Sequence, residues 1–272
     1  MTIRSARLWG AIVTLVAVVA APLGANADEA DAKRLLKAMS DYMESQDKIS
    51  FEFDAVLEVI TVDNQKLALA SSGSVALDRP GKIRTHRAGG HADIAMFFDG
   101  ETVTLFGSDL NIYTEISAPG SIDNLINVLR NDYNRPLPAA DLLGDNVYDT
   151  LMDGVIDVKD LGSGVVGGVE CDYLAFRKED VDWQIWIAQG DQPYPCKYVI
   201  TSKDVPLSPQ FSIQIRDWQA SEDTADDDFS FNNTTDATKV DVKDLQGLGS
   251  ALPGNFRQGD DAQGDDGQGD DE

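Results

Sequence analysis

The 272-residue chain carries 22 basic against 47 acidic side chains, a formal charge of −25, and only two cysteines and two histidines. A surface this acidic repels polyphosphate and has no basic stripe to release condensed counterions, which excludes nucleic acid as a partner and disfavours electrostatic docking on anionic lipid headgroups. Calcium is not indicated either, because no D-x-[DN]-x-[DN]-G loop with a following glutamate occurs.

At the N-terminus Arg4 and Arg7 precede an uncharged run from Leu8 to Ala21, broken by Pro22 and Gly24 and followed by Ala25-Asn26-Ala27. This is the pattern of an export signal with an A-x-A cleavage site. An apolar run of about 14 residues falls short of the ~20 that span a bilayer, so residues 1–27 are expected to be removed, leaving no stable membrane anchor. Loss of the two arginines brings the formal charge from −25 to about −27.

Asp28 to Gln46 reads as an amphipathic helix, with Leu35, Leu36, Met39, Tyr42 and Met43 on one face and acids in the first turn. Strict alternation then takes over. Phe51, Phe53, Ala55, Leu57 and Val59 share one face of a strand, opposite Glu52, Asp54 and Glu58. Leu67, Leu69, Val75 and Leu77 repeat the pattern, and Arg79-Pro80-Gly81 turns into Ile83. Ile94, Met96 and Phe98 form a further strand before Asp99-Gly100, and strands at 103–105 and 110–113 follow. Tight turns between short strands predict an antiparallel meander rather than βαβ units.

Two helices are expected next: one from Ser121 with Ile122, Leu125, Ile126 and Leu129 at helical spacing, and one from Ala139 to about Met152 that carries Leu142 and Leu143. Strands resume at 155–158, 169–176, 183–187, 198–201 and 211–218. Strands far outnumber helices, so the helices must fill the concavity of a strongly curved sheet. Residues 28–252 read as one such domain. Residues 253–272, with their repeated Gly-Asp-Asp, cannot bury a core and read as a disordered acidic tail.

Chemistry-bearing motifs are scarce. His86, His91 and Asp93 could meet across a turn, but two histidines on a polar loop are more often solvated, and no metal or cofactor is assigned. No G-x-S-x-G, H-E-x-x-H, P-loop or dinucleotide fingerprint is present, and Glu170, Asp172 and Asp182 are too ordinary in so acidic a chain to suggest a glycosidase pair. The chain therefore reads as a binding protein, not an enzyme. Cys171 and Cys196 are expected to form a disulfide after export. In a regular three-strand meander they would flank the middle strand about 9–10 Å apart, so pairing requires residues 193–195 to fold back past it. Trp183 shares a face with Ile185 and Ile187 and is assigned inward; Trp186, with Asp182 and Gln184, is assigned outward.

Arg79-Pro80-Gly81-Lys82-Ile83-Arg84, followed by Phe98-Asp99-Gly100, resembles the signature of the LolA-like superfamily of periplasmic lipoprotein carriers. Gly168 to Arg177, Val181-Asp182-Trp183-Gln184-Ile185-Trp186-Ile187 and Pro195 to Thr201 resemble a family of predicted periplasmic proteins of unknown function in that superfamily, over roughly residues 28–231. The resemblance implies a mainly β fold, an incomplete barrel of about eleven strands whose hollow is closed by a lid of short helices. In the carriers that hollow receives acyl chains. Its expected lining here is Phe51, Phe53, Leu57, Leu77, Ile83, Met96, Phe98, Trp183 and Ile185, with Leu125, Ile126, Leu129, Leu142 and Leu143 on the lid. The implied partner is a lipid or another apolar ligand; the alternative is a periplasmic sensor or scaffold that binds a protein with the same half-barrel.

Overall fold

The computed structural model describes residues 29–243, apart from 91, 134, 136 and 221–227. The expected leader (1–27) and acidic tail (253–272) lie outside the described residues. The chain runs α1 (Glu29–Glu44), β1 (Lys48–Ile60), β2 (Lys66–Asp78), β3 (Lys82–Gly89), β4 (Asp93–Phe98), β5 (Thr102–Gly107) and β6 (Ile112–Ser117). Then come α2 (Ile122–Asn131), a 3-10 turn (Ala140–Leu143) and α3 (Val147–Met152). The second run of strands is β7 (Asp157–Val166), β8 (Val169–Arg177), β9 (Val181–Ala188), β10 (Pro195–Ser202) and β11 (Gln210–Ala220), with the short β12 (Thr238–Lys239) last.

All twelve strands lie in one sheet of order β12-β6-β5-β4-β3-β2-β1-β11-β10-β9-β8-β7, antiparallel except where β12 joins β6 in parallel. Two hairpin-linked runs, β1 to β6 and β7 to β11, meet where β1 pairs with β11. In a flat sheet β5 and β9 would stand about 34 Å apart at the usual strand spacing. Val103 of β5 and Trp183 of β9 nevertheless belong to one buried cluster with Leu36, Met39 and Met43 of α1. The sheet therefore curls around the helices, and its two ends, β12 and β7, do not pair. The fold is the expected one: mainly β, an incomplete barrel with an N-terminal helix and short helices inside the curve, with one strand more than the resemblance implies.

Local chemistry explains the helical elements. The Ser121 hydroxyl accepts from the Asn124 backbone N–H and caps α2, whose apolar positions Ile122, Leu125, Ile126 and Leu129 are all buried. The single helix expected over 139–152 is instead two pieces. Ala139 sits at φ 67°, and a Cβ on Gly144 would lie 2.4 Å from Asp123 Oδ1. The Asp123 carboxylate accepts from the Asp145 N–H, holding the chain in a break between the 3-10 turn and α3. The strand expected at 155–158 extends to Val166 through a register shift between Asp160 and Ser163.

Gly73 is demanded by sheet packing. It faces Phe53 across β1 and β2, and a Cβ there would lie 2.1 Å from the His86 carbonyl oxygen and 2.5 Å from Phe53 Cζ. The ring occupies the space a side chain would take. Gly73→Ala is expected to destabilise the fold by about 1–3 kcal/mol, because both the β2–β3 ladder and the ring must shift. Urea unfolding of the two proteins measures it; an unchanged midpoint would show that the ring moves away freely.

After residue 227 the chain returns as a strap over the outer face. Phe231 lies within 4.9–5.6 Å, centroid to centroid, of Phe97, Phe106 and Tyr113. β12 then covers the β6 edge, with Thr238 N–H donating to the Asn111 carbonyl and Val240 N–H to that of Tyr113.

Candidate functional site

The register fixes which side chains face the hollow. Phe51, Phe53, Ala55 and Leu57 of β1 pair with Val75, Gly73, Ser71 and Leu69 of β2, and Leu77 pairs with Ile83, which in turn faces Phe98. Trp183 pairs with Phe176 and Ile200, and Ile185 with Leu174 and Tyr198. Inward alternation in both runs thus converges on α1, α2 and α3.

The two ends of the hollow differ. At the helix-covered end Phe51, Phe53, Leu77, Ile83, Met96, Phe98, Trp183 and Ile185 join Leu125, Ile126, Leu129, Leu142 and Leu143 in one buried cluster. Phe98 and Ile185 are fully buried and Trp183 is 2 % exposed, so these side chains border no void large enough for water. Here the helices pack against the expected lining residues. Beyond the helices the apolar wall continues with Leu57, Leu67, Leu69, Ile200 and Phe211, all only half-buried. There a cleft of about 200 Å³ opens, lined by Leu57, Leu69, Ser71, Arg87 and Gly89 with Ala68, Ala70, Gly90 and Ala92. Of the expected lining residues, Leu57 alone borders this cleft.

Few polar links tie the helical layer to the turn that precedes β3. Arg79, buried along most of its length, donates to Asp145 Oδ1 at 3.1 Å and to the Gln46 carbonyl at 3.2 Å. The Ile122 N–H donates to the Pro80 carbonyl, and within the helical layer the Val147 N–H of α3 donates to Glu44 Oε1 of α1 at 2.8 Å.

Trp183 is inward, as its neighbours predict. It stacks on Phe176 with centroids 3.8 Å apart and meets Tyr198 edge-on at 5.8 Å, and its buried indole N–H has no acceptor among the described residues. Burial pushes the Tyr198 hydroxyl above its ordinary value, with Asp141 adding to the effect. Trp186 faces outward but is shielded, stacked on Tyr173 at 4.3 Å with Lys197 over its ring. Trp218, which alternation puts on the β11 strand without assigning it a role, stacks on Phe51 and Tyr194 and donates to the Tyr42 hydroxyl at 3.3 Å. Asp217, at φ 51°, forms a bulge that turns Trp218 inward, a shift that strand alternation does not signal.

The expected disulfide is not formed, and the wide separation of a regular meander does not arise either: a register shift on β10 makes Cys196 a bulge residue, Cys171 pairs opposite Ala188, and the two sulfurs lie 2.7 Å apart as buried thiols. Burial pushes both thiols up, Cys196 the further. His86 Nε2 lies 2.8 Å from Asp93 Oδ1 on the outer face; His91 is outside the described residues, among which no cluster fit for a metal occurs.

Residues 32–243 match the family model described as predicted periplasmic protein, DUF2092. No curated protein matches the chain significantly in sequence. Among solved structures, the lipoprotein LppX of Mycobacterium tuberculosis is 12 % identical, over 70 % of this chain and 96 % of its own, with a TM-score of 0.37. The MucA/MucB complex of Pseudomonas aeruginosa gives 14 % identity over 74 % and 61 %, TM-score 0.42. A putative outer membrane lipoprotein-sorting protein domain from Vibrio parahaemolyticus gives 8 % over 75 % and 97 %, TM-score 0.32.

Proposed function

The chain belongs to the DUF2092 family of predicted periplasmic proteins, and on that premise we propose that it is a non-catalytic carrier that takes an apolar ligand, such as an acyl chain, into its half-barrel. One observation carries the reading: the apolar inner wall outruns its helical cover, leaving Leu57, Leu67, Leu69, Ile200 and Phe211 half-buried beside an open cleft. A half-buried apolar wall beside an open cleft is the kind of surface that a ligand covers. A fourteen- to sixteen-carbon chain offers about 11–13 kcal/mol on burial before ordering costs, enough to repay displacement of the helices from the filled end. The leader at 1–27 would deliver the protein to the periplasm, and the acidic tail would keep it soluble there.

Titration of the full mature chain with a neutral fluorescent apolar probe tests this. Micromolar affinity is expected. Leu57→Glu, which sets a carboxylate in the mouth, should weaken it about tenfold or more, whereas Glu58→Gln on the outer face should not change it. Absence of probe binding by the folded wild-type protein rejects the carrier reading.

A second reading, docking of a protein partner, rests on the other sheet end. β7 is an edge strand whose Leu161 and Val165, with Ile156 just before it, are exposed. A stable complex recovered with an otherwise empty protein would favour it.

A further inference from the structure

Arg87 is out of place in the wall that holds it. Its register partners are Gly73 on β2 and Ile94 on β4, so it faces the hollow on the same side as Ile83, Met96 and Phe98. Among the inward positions of β1 to β6 it is the only charged residue of either sign. In a chain with 47 acids, Arg87 makes no ion pair or side-chain hydrogen bond among the described residues, although its outward neighbours are matched: His86 with Asp93, and Arg84 over the Phe97 ring. It is half-buried and lines the cleft with Leu57, Leu69, Ser71 and Gly89.

A half-buried guanidinium without a counterion among the described residues gives up part of its hydration unrepaid, and a fold with so many carboxylates could have matched it easily. The cleft beside it suits an anion. Ser71 adds a hydroxyl, and Gly89 and Gly90 carry no side chain that would keep a headgroup away. The half-buried leucines continue from this point along the wall toward Phe211 and Ile200. At about 200 Å³ the cleft is smaller than the sites that enclose whole ligands, so it fits a headgroup and the first methylenes, with the tail lying along the wall.

We infer, resting on the carrier reading above, that Arg87 anchors the acidic head of an amphiphile: a carboxylate or phosphate borne on an apolar tail. The overall charge does not oppose this. Charges beyond about 8–10 Å are screened at physiological salt, whereas a bidentate guanidinium contact inside an apolar mouth is not. The same acidic exterior keeps the protein off anionic bilayers, so such a ligand is met one molecule at a time.

Calorimetric titration of the mature chain, below micellar concentrations, compares palmitate, its methyl ester and a lysophosphatidate of the same chain length. Wild type should bind at least one of the two acids about ten- to a hundredfold more tightly than the ester. Arg87→Gln should abolish that preference by weakening the acids about ten- to a hundredfold more than the ester, and Arg87→Lys should retain part of it. Circular dichroism checks that both variants fold. Preference for palmitate or for lysophosphatidate identifies the head as carboxylate or phosphate, and either result supports the anchor. Equal affinity for acids and ester in the wild type, or a preference that survives Arg87→Gln, overturns it while the carrier reading stands. If no probe binds, the ester included, both fall together.

Discussion

Trp183→Ala is expected to lower the folding stability by about 3–5 kcal/mol, the range for removing a large buried aromatic side chain, against a total of about 5–15 kcal/mol for an ordinary domain. Trp183 sits where the two strand runs face each other across the helices: it stacks on Phe176 at 3.8 Å, touches Tyr198 edge-on and is 2 % exposed. Truncation removes those contacts and leaves a cavity that the surrounding sheet, held by ladders on both sides, cannot collapse into. Trp183→Phe should behave differently. It keeps an aromatic ring against Phe176 and removes an indole N–H that has no acceptor among the described residues, so its cost should stay under about 1.5 kcal/mol. Denaturant midpoints of the pair measure the contrast. Equal losses would mean that Phe fills this site no better than Ala, so that the whole indole ring is what the surrounding core requires.

What could be read in the sequence follows from what is local. The Phe51 to Val59 alternation is a property of one strand, and it gave the inner face of β1 directly; the same holds for the inward placement of Trp183. Helix α2 was legible because Ser121 caps it and its apolar positions repeat every turn. Features that depend on a partner strand or a distant side chain were not legible. Asp217 bulges only because β1 fixes the register of β11, and Gly144 breaks the third helix only because Asp123 is packed against it. Phe231 lies in a segment with little alternation, and its site is built by Phe97, Phe106 and Tyr113 on three other strands. Arg87 could have been placed inward by counting from Ile83, yet its meaning comes from the absence of a counterion among the described residues, which no sequence pattern records. The expected lining was chosen for apolarity, and apolar side chains fill a core as readily as they line a cavity.

The cysteines give the second large effect. Oxidation to a Cys171–Cys196 disulfide is expected to stabilise the protein by about 3.5 kcal/mol, the chain-entropy value for residues 25 apart. The bulge at Cys196 and the small Ala188 beneath already bring the sulfurs together, so no strand has to move. Speed is another matter. The thiolate is the reactive form, and burial raises both thiols above their ordinary value, so at neutral pH little thiolate exists. The sign is fixed by that shift: oxidation by oxidised glutathione should accelerate about tenfold per pH unit as pH rises, without levelling off where an exposed cysteine would. Thiol titration after timed quenching follows the rate, and thermal unfolding with and without reductant reads the stabilisation. A protein with both thiols free after long oxidant exposure at alkaline pH would show that Cys171 and Cys196 serve only as packing. A rate that levels off near pH 8 would show instead that one of them is more exposed to solvent than its burial indicates.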